Sequence, residues 1–224
     1  MEIVNFIARA CAVVLILVLH EFAHAFVANA CGDSTAKWEG RLTLNPAKHF
    51  DLAGMLMFVC VGFGWAKPVP INPYNFKNYK RDLFFVSAAG ITLNLLLAFL
   101  FFPVFVLAGR YLTEPNYLFI FIRYFLYWFV LFNLNFCVFN LIPLYPLDGF
   151  RIWDALDSRK GKVYRFIQQY GYYVLLGLIL LSFICERLAD FIPFIVYFDI
   201  LGTYMGFVID KLYWLISAFW GLIF

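Results

Sequence analysis

Charged residues are the scarcest class in this 224-residue sequence. Only 14% of the residues are Asp, Glu, Lys or Arg, while 64% are hydrophobic and 22% aromatic. An average soluble domain has about 25% charged residues. We therefore predict a polytopic membrane protein with no room for a large soluble domain. The formal net charge of +3 suits cationic loops at an anionic leaflet of the lipid bilayer, and it does not indicate a nucleic-acid surface.

Paired cysteines, a leader sequence and internal repeats are also lacking. The sequence has no CxxC motif, so disulfides and a thiolate zinc site are not expected, and the single cysteines are interpreted as small buried hydrophobes. They are Cys11, Cys31, Cys60, Cys137 and Cys185. The start at Met1 has no basic region and no small-residue cleavage site, so we expect a retained helix there rather than a removed signal peptide. The sequence gives no indication of an oligomeric state.

Long apolar runs predict an all-α membrane protein with five or six transmembrane helices. The predicted spans are Ile3–Ala30, Leu83–Ala108, Tyr117–Leu144, Tyr164–Cys185 and one span with an interfacial piece in Phe191–Phe224. We expect a single integral-membrane domain over residues 1–224, with a core at 3–151 and C-terminal helices at 163–224.

Two segments between the first spans have their own patterns. The apolar run Leu52–Trp65 would reach about 21 Å as a helix, which is short of the ~30 Å bilayer core. It is predicted to be either a re-entrant segment or a short buried helix. Alternation of polar and apolar residues at Arg41–Asn45 predicts a short β-strand or hairpin.

Basic loops predict the orientation in the membrane. Lys and Arg cluster within residues 67–81 and again within residues 151–165, and such loops prefer the cytoplasmic side. If residues 52–65 dip into the bilayer and return, the end of the first span and the loop at Asp148 both lie on that side. A full crossing would place them on opposite faces, so the re-entrant alternative is preferred.

The most informative motif that is present is His20-Glu21-Phe22-Ala23-His24, inside the first apolar run. Two histidines four apart project from one face of a helix. Both imidazoles can then bind one Zn²⁺, with the glutamate beside the water that such a metal activates. The alternative is a pair of hydrogen-bonded core histidines. Ionisable groups inside a bilayer are costly, which favours the metal.

A hydrolytic zinc site needs a third protein ligand, and Asp148 is the candidate. Pro143 and Pro146 interrupt an apolar span just before Leu147-Asp148-Gly149. Freed backbone at such a break must face protein or a water-filled cavity. We expect Gly149 to permit a tight turn, from which the carboxylate could reach a metal between helices.

These motifs together resemble the site-2 proteases, the intramembrane zinc metalloproteases. The resemblance rests on His20-Glu21-x-x-His24 with Asn140-x-x-Pro143-x-x-x-Leu147-Asp148-Gly149. The stretches Gly40–Pro46 and Gly64–Pro73 are similar to the compact prokaryotic branch. The family's Ala-Gly-Pro-x-x-Asn element is represented by residues 89–94, which lack the proline. No PDZ or CBS module is found.

The resemblance implies roles for five residues. His20, His24 and Asp148 would bind one Zn²⁺, Glu21 would activate water, and Asn140 would hold the substrate or the oxyanion. The implied substrates are transmembrane or signal-anchor proteins cut in or near the membrane.

Several alternatives stay open. Asn140 could equally satisfy backbone freed by Pro143, and the edge of the predicted strand could pair with an unwound substrate or only plug the site. His49 is expected to be an exposed cap or interfacial residue rather than a metal ligand. The main functional alternative is a catalytically silent membrane protein that binds metal or acts as a scaffold. A metal transporter is less favoured, because transporters often show repeated ligand sets.

Overall fold

Helices dominate the chain, in a computed structural model that describes residues 1–61, 64 and 66–223. The described residues form eight α-helices, which confirms the predicted helical class. They are α1 (Glu2–Ala30), α2 (Thr35–Trp38), α3 (Leu52–Val61), α4 (Tyr79–Tyr111), α5 (Tyr117–Asn140), α6 (Asp148–Leu156), α7 (Lys162–Leu188) and α8 (Ile200–Gly221). Three short 3₁₀ helices lie at Pro46–Lys48, Pro73–Asn75 and Pro193–Phe198.

Four helices in the described part of the chain, α1, α4, α5 and α7, are long and apolar enough to cross a membrane. The predicted number of five or six is therefore too high by this measure. The difference lies mainly in the tail, where α8 is a 22-residue helix that carries Asp210 and Lys211 near its middle. The third span also ends early, at Asn140, because Pro143 has no N–H to continue the helix.

The short apolar run after the first span forms a helix of ten residues, Leu52–Val61. Its length of about 15 Å is half of the bilayer core, which agrees with both predicted alternatives, a re-entrant segment or a short buried helix. The predicted run continues to Trp65, which lies outside the described residues, as do residues 62 and 63 of the same run.

The β-strand predicted at Arg41–Asn45 is not formed. The N–H groups of Arg41 and Leu42 both donate to the carbonyl of Ala36, at 2.7 and 3.2 Å, so they close the turn after α2. Asn45 accepts from the Ala47 N–H at 3.0 Å and caps the next 3₁₀ helix. Alternation over five residues does not make a strand where the backbone donors have local acceptors. The β contact within residues 1–61, 64 and 66–223 is one antiparallel bridge, Phe50 to Ala66.

The chain has two compact units, Met1–Asn133 and Leu134–Phe224. The division falls within α5, and the predicted domain limits stay a prediction. In the first unit α1 packs against α4. Each helix buries a row of residues four apart: Ala8, Ala12, Ile16, His20, His24 and Ala28 on α1, and Asp82, Val86, Gly90, Asn94, Ala98 and Phe102 on α4. Rows at this spacing interlock in helix packing, and small residues let the backbones approach closely.

Asp33 fastens the end of α1 to the segment before α4. Its buried carboxylate accepts hydrogen bonds from Thr35 and Asn75 and from the backbone N–H of Asn72, the last at 2.7 Å. Burial alone would raise the pKa of Asp33, but these hydrogen bonds favour the charged form and lower the pKa below its ordinary value. The loop over residues 72–75 is thereby held against the last turn of the first span.

The second unit begins with the last turns of α5, and residues 141–147 then lead into α6. Gly149 lies inside α6 rather than in a turn, so the expected role for this glycine was wrong. A Cβ at Gly149 would collide with the carbonyl oxygens of Leu141 and Ile142. The glycine is therefore needed for close packing of α6 against the segment that the prolines create.

Candidate metal centre

The two histidines of the HExxH motif lie side by side on the buried row of α1. Their Nε2 atoms are 3.0 Å apart, and both rings are almost fully buried. Two nitrogens bound to one tetrahedral zinc at 2.0–2.1 Å would be separated by about 3.3 Å. The spacing therefore fits a shared metal ion to within a few tenths of an ångström.

The opposite ring nitrogens point at oxygen acceptors on α4. His24 Nδ1 lies 2.7 Å from the carbonyl oxygen of Val86, and His20 Nδ1 lies 2.6 Å from Oδ1 of Asn94. A carbonyl oxygen only accepts, so Nδ1 carries the proton, and Nε2 of a neutral ring then carries a lone pair. Two lone pairs facing at 3.0 Å repel each other unless a cation lies between them. The donor set thus fits zinc, for which neutral imidazole nitrogen is a common ligand.

Gly90 of α4 leaves the space beside these rings. A Cβ at this position would lie 2.5 Å from Cε1 of His20 and 2.6 Å from Nε2 of His24. No side chain fits between α4 and the two imidazoles. The Ala-Gly element at residues 89–90 lacks the proline that follows it in the family. Its glycine nevertheless allows α4 to lie close to both imidazole rings.

Glu21 faces the segment that enters from the basic loop. Its Oε2 accepts a hydrogen bond from the backbone N–H of Val69 at 2.8 Å. Arg41 holds the same segment, since Nη2 donates to the carbonyl of Lys67 at 2.7 Å. Val69 also packs on Ala25 of α1. This hydrogen bond orients the Glu21 carboxylate toward the segment at Val69.

The remaining predicted site residues belong to the second unit. Asp148 is the first residue of α6 and is 6% exposed. Asn140 ends α5, and its Nδ2 donates to the carbonyl of Phe136 at 3.0 Å. The carbonyl that Pro143 leaves free, that of Phe139, is bound instead by the N–H of Ile142. Asn140 thus binds its own helix, and the roles of both residues stay predictions.

His49 is not exposed, and this expectation was wrong. Its ring is 0% exposed, and Nε2 lies 2.8 Å from the carbonyl oxygen of Thr43. The backbone carbonyl of His49 accepts from the N–H of Lys67. His49 therefore fixes the segment beside Glu21 from within the fold. A histidine next to Phe50 in a polar sequence gave no periodic signal for this burial.

No role was predicted from the sequence for two asparagines near the histidines, although one of them, Asn94, ends the element at residues 89–94. Asn94 binds His20, and Asn133 on α5 binds Asn94. A signal was present, because an uncharged polar side chain inside a long apolar helix needs a partner within the protein. The partner itself could not be read from the sequence, since residues 20, 94 and 133 are far apart in the chain.

Comparisons with known proteins agree with this geometry. The chain is 43% identical over 164 residues to "Putative zinc metalloprotease YwhC" of Bacillus subtilis, which covers 71% of this chain and 74% of that protein. A family model, Peptidase family M50, matches residues 112–182. The chain belongs to peptidase family M50. This is the site-2 protease family, so the predicted class, a metallopeptidase with zinc as its cofactor, is confirmed.

More distant relatives cover less of the sequence. "Putative zinc metalloprotease Rip2" of Mycobacterium tuberculosis is 33% identical over 141 residues, 60% of this chain and 51% of that protein. "Uncharacterized protein MJ0971" of Methanocaldococcus jannaschii is 38% identical over 92 residues, 41% of this chain and 23% of that protein. No solved structure matches the chain. The family is thus supported by the sequence comparisons with YwhC and with the M50 model.

Proposed function

We propose that this member of the M50 family is an intramembrane protease that cuts peptide bonds in or near transmembrane segments of membrane proteins. The observation that carries the proposal is the pair of facing Nε2 atoms of His20 and His24, with Glu21 between them in sequence on α1. That donor pair lies within a helix long and apolar enough to cross the bilayer. A hydrolytic site at this depth acts on substrates that are themselves in the membrane.

Asp148 is proposed as the third protein ligand beside the two histidines. The proposal rests on its place in the Leu-Asp-Gly motif and on its burial at the start of a helix. A buried carboxylate in an apolar environment is costly unless a cation or hydrogen bonds compensate it. Two imidazoles and one carboxylate form a ligand set typical of catalytic zinc, which leaves a fourth position open.

Zinc in this site would lower the pKa of water to about 7 and polarise the scissile carbonyl. Glu21 accepts the proton of the attacking water and delivers it to the leaving nitrogen. The Val69 N–H holds one oxygen of Glu21, so the other oxygen is the one available to the water. Asn140 has a second amide hydrogen beyond the one donated to Phe136, and this hydrogen is proposed to stabilise the oxyanion.

The site is proposed to open toward the cytoplasm. The segment that contacts Glu21 is continuous with the basic loop of residues 67–81, which contains Lys67, Lys77, Lys80 and Arg81. Loops of this kind prefer the cytoplasmic side. Because residues 41–45 form no strand, a substrate-pairing edge at that place is not part of the proposal.

Glu21→Gln tests the proposal. The glutamine keeps an acceptor oxygen for the Val69 N–H, so the local structure should persist while the proton acceptor is lost. We expect about one zinc per chain, measured by atomic absorption, and cleavage lowered by roughly 10²–10⁴-fold. The substrates are single-pass segments fused between two tags and reconstituted with the purified protein in liposomes.

The matched control is Glu39→Gln, since Glu39 is an exposed glutamate of the same unit and its loss should leave cleavage unchanged. Full cleavage by Glu21→Gln would remove Glu21 from the mechanism. A parent chain that holds zinc but cuts none of the segments would favour the alternative of a catalytically silent metal-binding protein. The hydrogen bond from the Val69 N–H to Glu21 would then be a contact that keeps Glu21 from the substrate.

A further inference from the structure

A line of side-chain hydrogen bonds leads away from His20 across three helices of the first unit. Nδ1 of His20 lies 2.6 Å from Oδ1 of Asn94 on α4. Nδ2 of Asn94 donates to Oδ1 of Asn133 on α5 at 2.8 Å. Nδ2 of Asn133 donates to the carbonyl of Phe129 at 2.8 Å. Both asparagine side chains are 0% exposed.

The backbone carbonyl at the far end fixes the direction of every bond in this line. Because the Phe129 carbonyl only accepts, Asn133 must turn its NH₂ group toward it and its oxygen toward Asn94. Asn94 must then offer NH₂ to Asn133 and its own oxygen to His20. His20 is left with the proton on Nδ1 and the lone pair on Nε2. Reversing any one amide would set two donors or two acceptors against each other.

We propose that Asn94 and Asn133 are positioning residues for the metal, which hold His20 in the tautomer and ring orientation that direct its Nε2 lone pair toward zinc. This inference rests on the proposed metal site. The two histidines differ in this respect, since His24 is oriented by the backbone carbonyl of Val86, which is kept when the Val86 side chain is replaced. His20 depends on side chains, and a partner of a metal-binding histidine commonly contributes about 10–100-fold to metal affinity.

The rival explanation is that the asparagines only join helices. Polar side chains do hold transmembrane helices together through hydrogen bonds. Such a role would lower thermal stability when either residue is replaced, and the two losses would not add fully because the residues share one hydrogen bond. It would leave the zinc affinity of the folded protein unchanged. Positioning predicts a loss of zinc affinity in each variant, and it predicts that replacing Asn133 has no further effect on zinc affinity once Asn94 is replaced.

The zinc affinity of the full chain distinguishes the positioning role from the helix-joining role. It is measured in detergent micelles by competition with a chromophoric chelator. We expect Asn94→Leu to bind zinc roughly 10–100-fold more weakly. Asn133→Leu should weaken binding by a smaller factor, roughly 3–10-fold, because it acts through Asn94. The double variant should bind zinc no more weakly than Asn94→Leu alone, since Asn133 has lost its route to His20.

Two further variants sharpen the test. Asn94→Asp keeps an oxygen acceptor for the Nδ1 proton, and a carboxylate partner of this kind is common for zinc-binding histidines. Its second oxygen would face Oδ1 of Asn133, which also only accepts. Zinc affinity should therefore stay within about threefold of the parent, while thermal stability falls. Asn5→Leu is the matched control. It removes another hydrogen bond between α1 and α5, from Trp128 Nε1 to Asn5 Oδ1 at 2.6 Å, and should not change zinc affinity.

The results that overturn the inference are distinct from those that overturn the proposed function. A parent chain that binds no zinc refutes the metal site itself. A parent that binds zinc, with equal affinity in Asn94→Leu and Asn133→Leu, refutes only the positioning role. The role is also refuted if Asn133→Leu causes the same loss in the parent chain as in the Asn94→Leu variant. If Asn94→Leu does not fold, the zinc affinity of Asn133→Leu gives the same decision.

Discussion

Replacing Gly90 by alanine is the most direct test of how the first unit holds its histidines. The added Cβ would lie 2.5 Å from Cε1 of His20, 2.6 Å from its Nδ1, and 2.6 Å from Nε2 of His24. Ordinary van der Waals contact begins at 3.4 Å, and the closest contact would be 2.5 Å, so the rings or the helix must move by about 0.9 Å. The rings cannot simply turn away, because each is held at Nδ1 by an acceptor on the same helix α4.

The expected loss of zinc affinity in Gly90→Ala follows from those two hydrogen bonds. At 2.6 and 2.7 Å they would stretch past the upper limit of about 3.2 Å for an N–H···O bond if α4 withdrew by about 0.9 Å. Each bond is worth about 0.5–1.5 kcal/mol net, so their loss removes about 1–3 kcal/mol from the oriented state of the site. At 1.4 kcal/mol per factor of ten, zinc should bind roughly 5- to 150-fold more weakly.

The assay is zinc competition with a chelator in detergent, together with thermal unfolding of the metal-free protein. Gly109→Ala is the control, since Gly109 lies on the same helix and a Cβ there would meet no atom within 4 Å. That variant should bind zinc like the parent and gain up to about 1 kcal/mol of helix stability. If Gly90→Ala binds zinc as tightly as Gly109→Ala, the packing described for Gly90 is not needed to hold the histidines.

Two further predictions concern stability. Asp33→Asn should cost about 1–3 kcal/mol at neutral pH. Because the pKa of Asp33 is lowered by folding, its contribution is complete above the ordinary value of about 3.9. The contribution is lost as pH falls through the lower folded value, so thermal unfolding of parent and variant should converge in acid. A gap that persists would refute this. Gly149→Ala should cost about 1–3 kcal/mol by overpacking, whereas Gly177→Ala, with nothing within 4 Å, should not lower the unfolding midpoint.

The parts of the fold that the sequence predicted correctly are those with local causes. Apolar runs of more than 20 residues make helices in a membrane, because every backbone group must find a partner within its own segment. The i, i+4 spacing of His20 and His24 likewise places both on one face of α1 whatever surrounds it. Their separation of 3.0 Å depends also on the acceptors of α4 that orient both rings, and these partners could not be read from the sequence.

The predictions that failed depended on distant partners. A strand at residues 41–45 required another strand beside it, and the chain instead supplied Ala36 as acceptor for two of its N–H groups. His49 was expected to be exposed, but its burial depends on Thr43 and on the arrival of Lys67 from another part of the chain. Neither the turn at residues 41–45 nor the burial of His49 produces a periodic pattern in the sequence. The local residue pattern therefore favoured a strand and an exposed histidine, and both predictions were wrong.

The packing of α1 on α4 explains why a glycine lies beside the histidines. In a helix a side chain covers the turn that precedes it, so a residue at position 90 would cover the carbonyl of Val86, four residues earlier. Since Gly90 has no side chain, that carbonyl stays open and accepts the Nδ1 proton of His24 at 2.7 Å. The same missing Cβ leaves room for both rings. One glycine therefore provides both the space for the imidazoles and the acceptor that orients one of them, and an alanine there should remove both together.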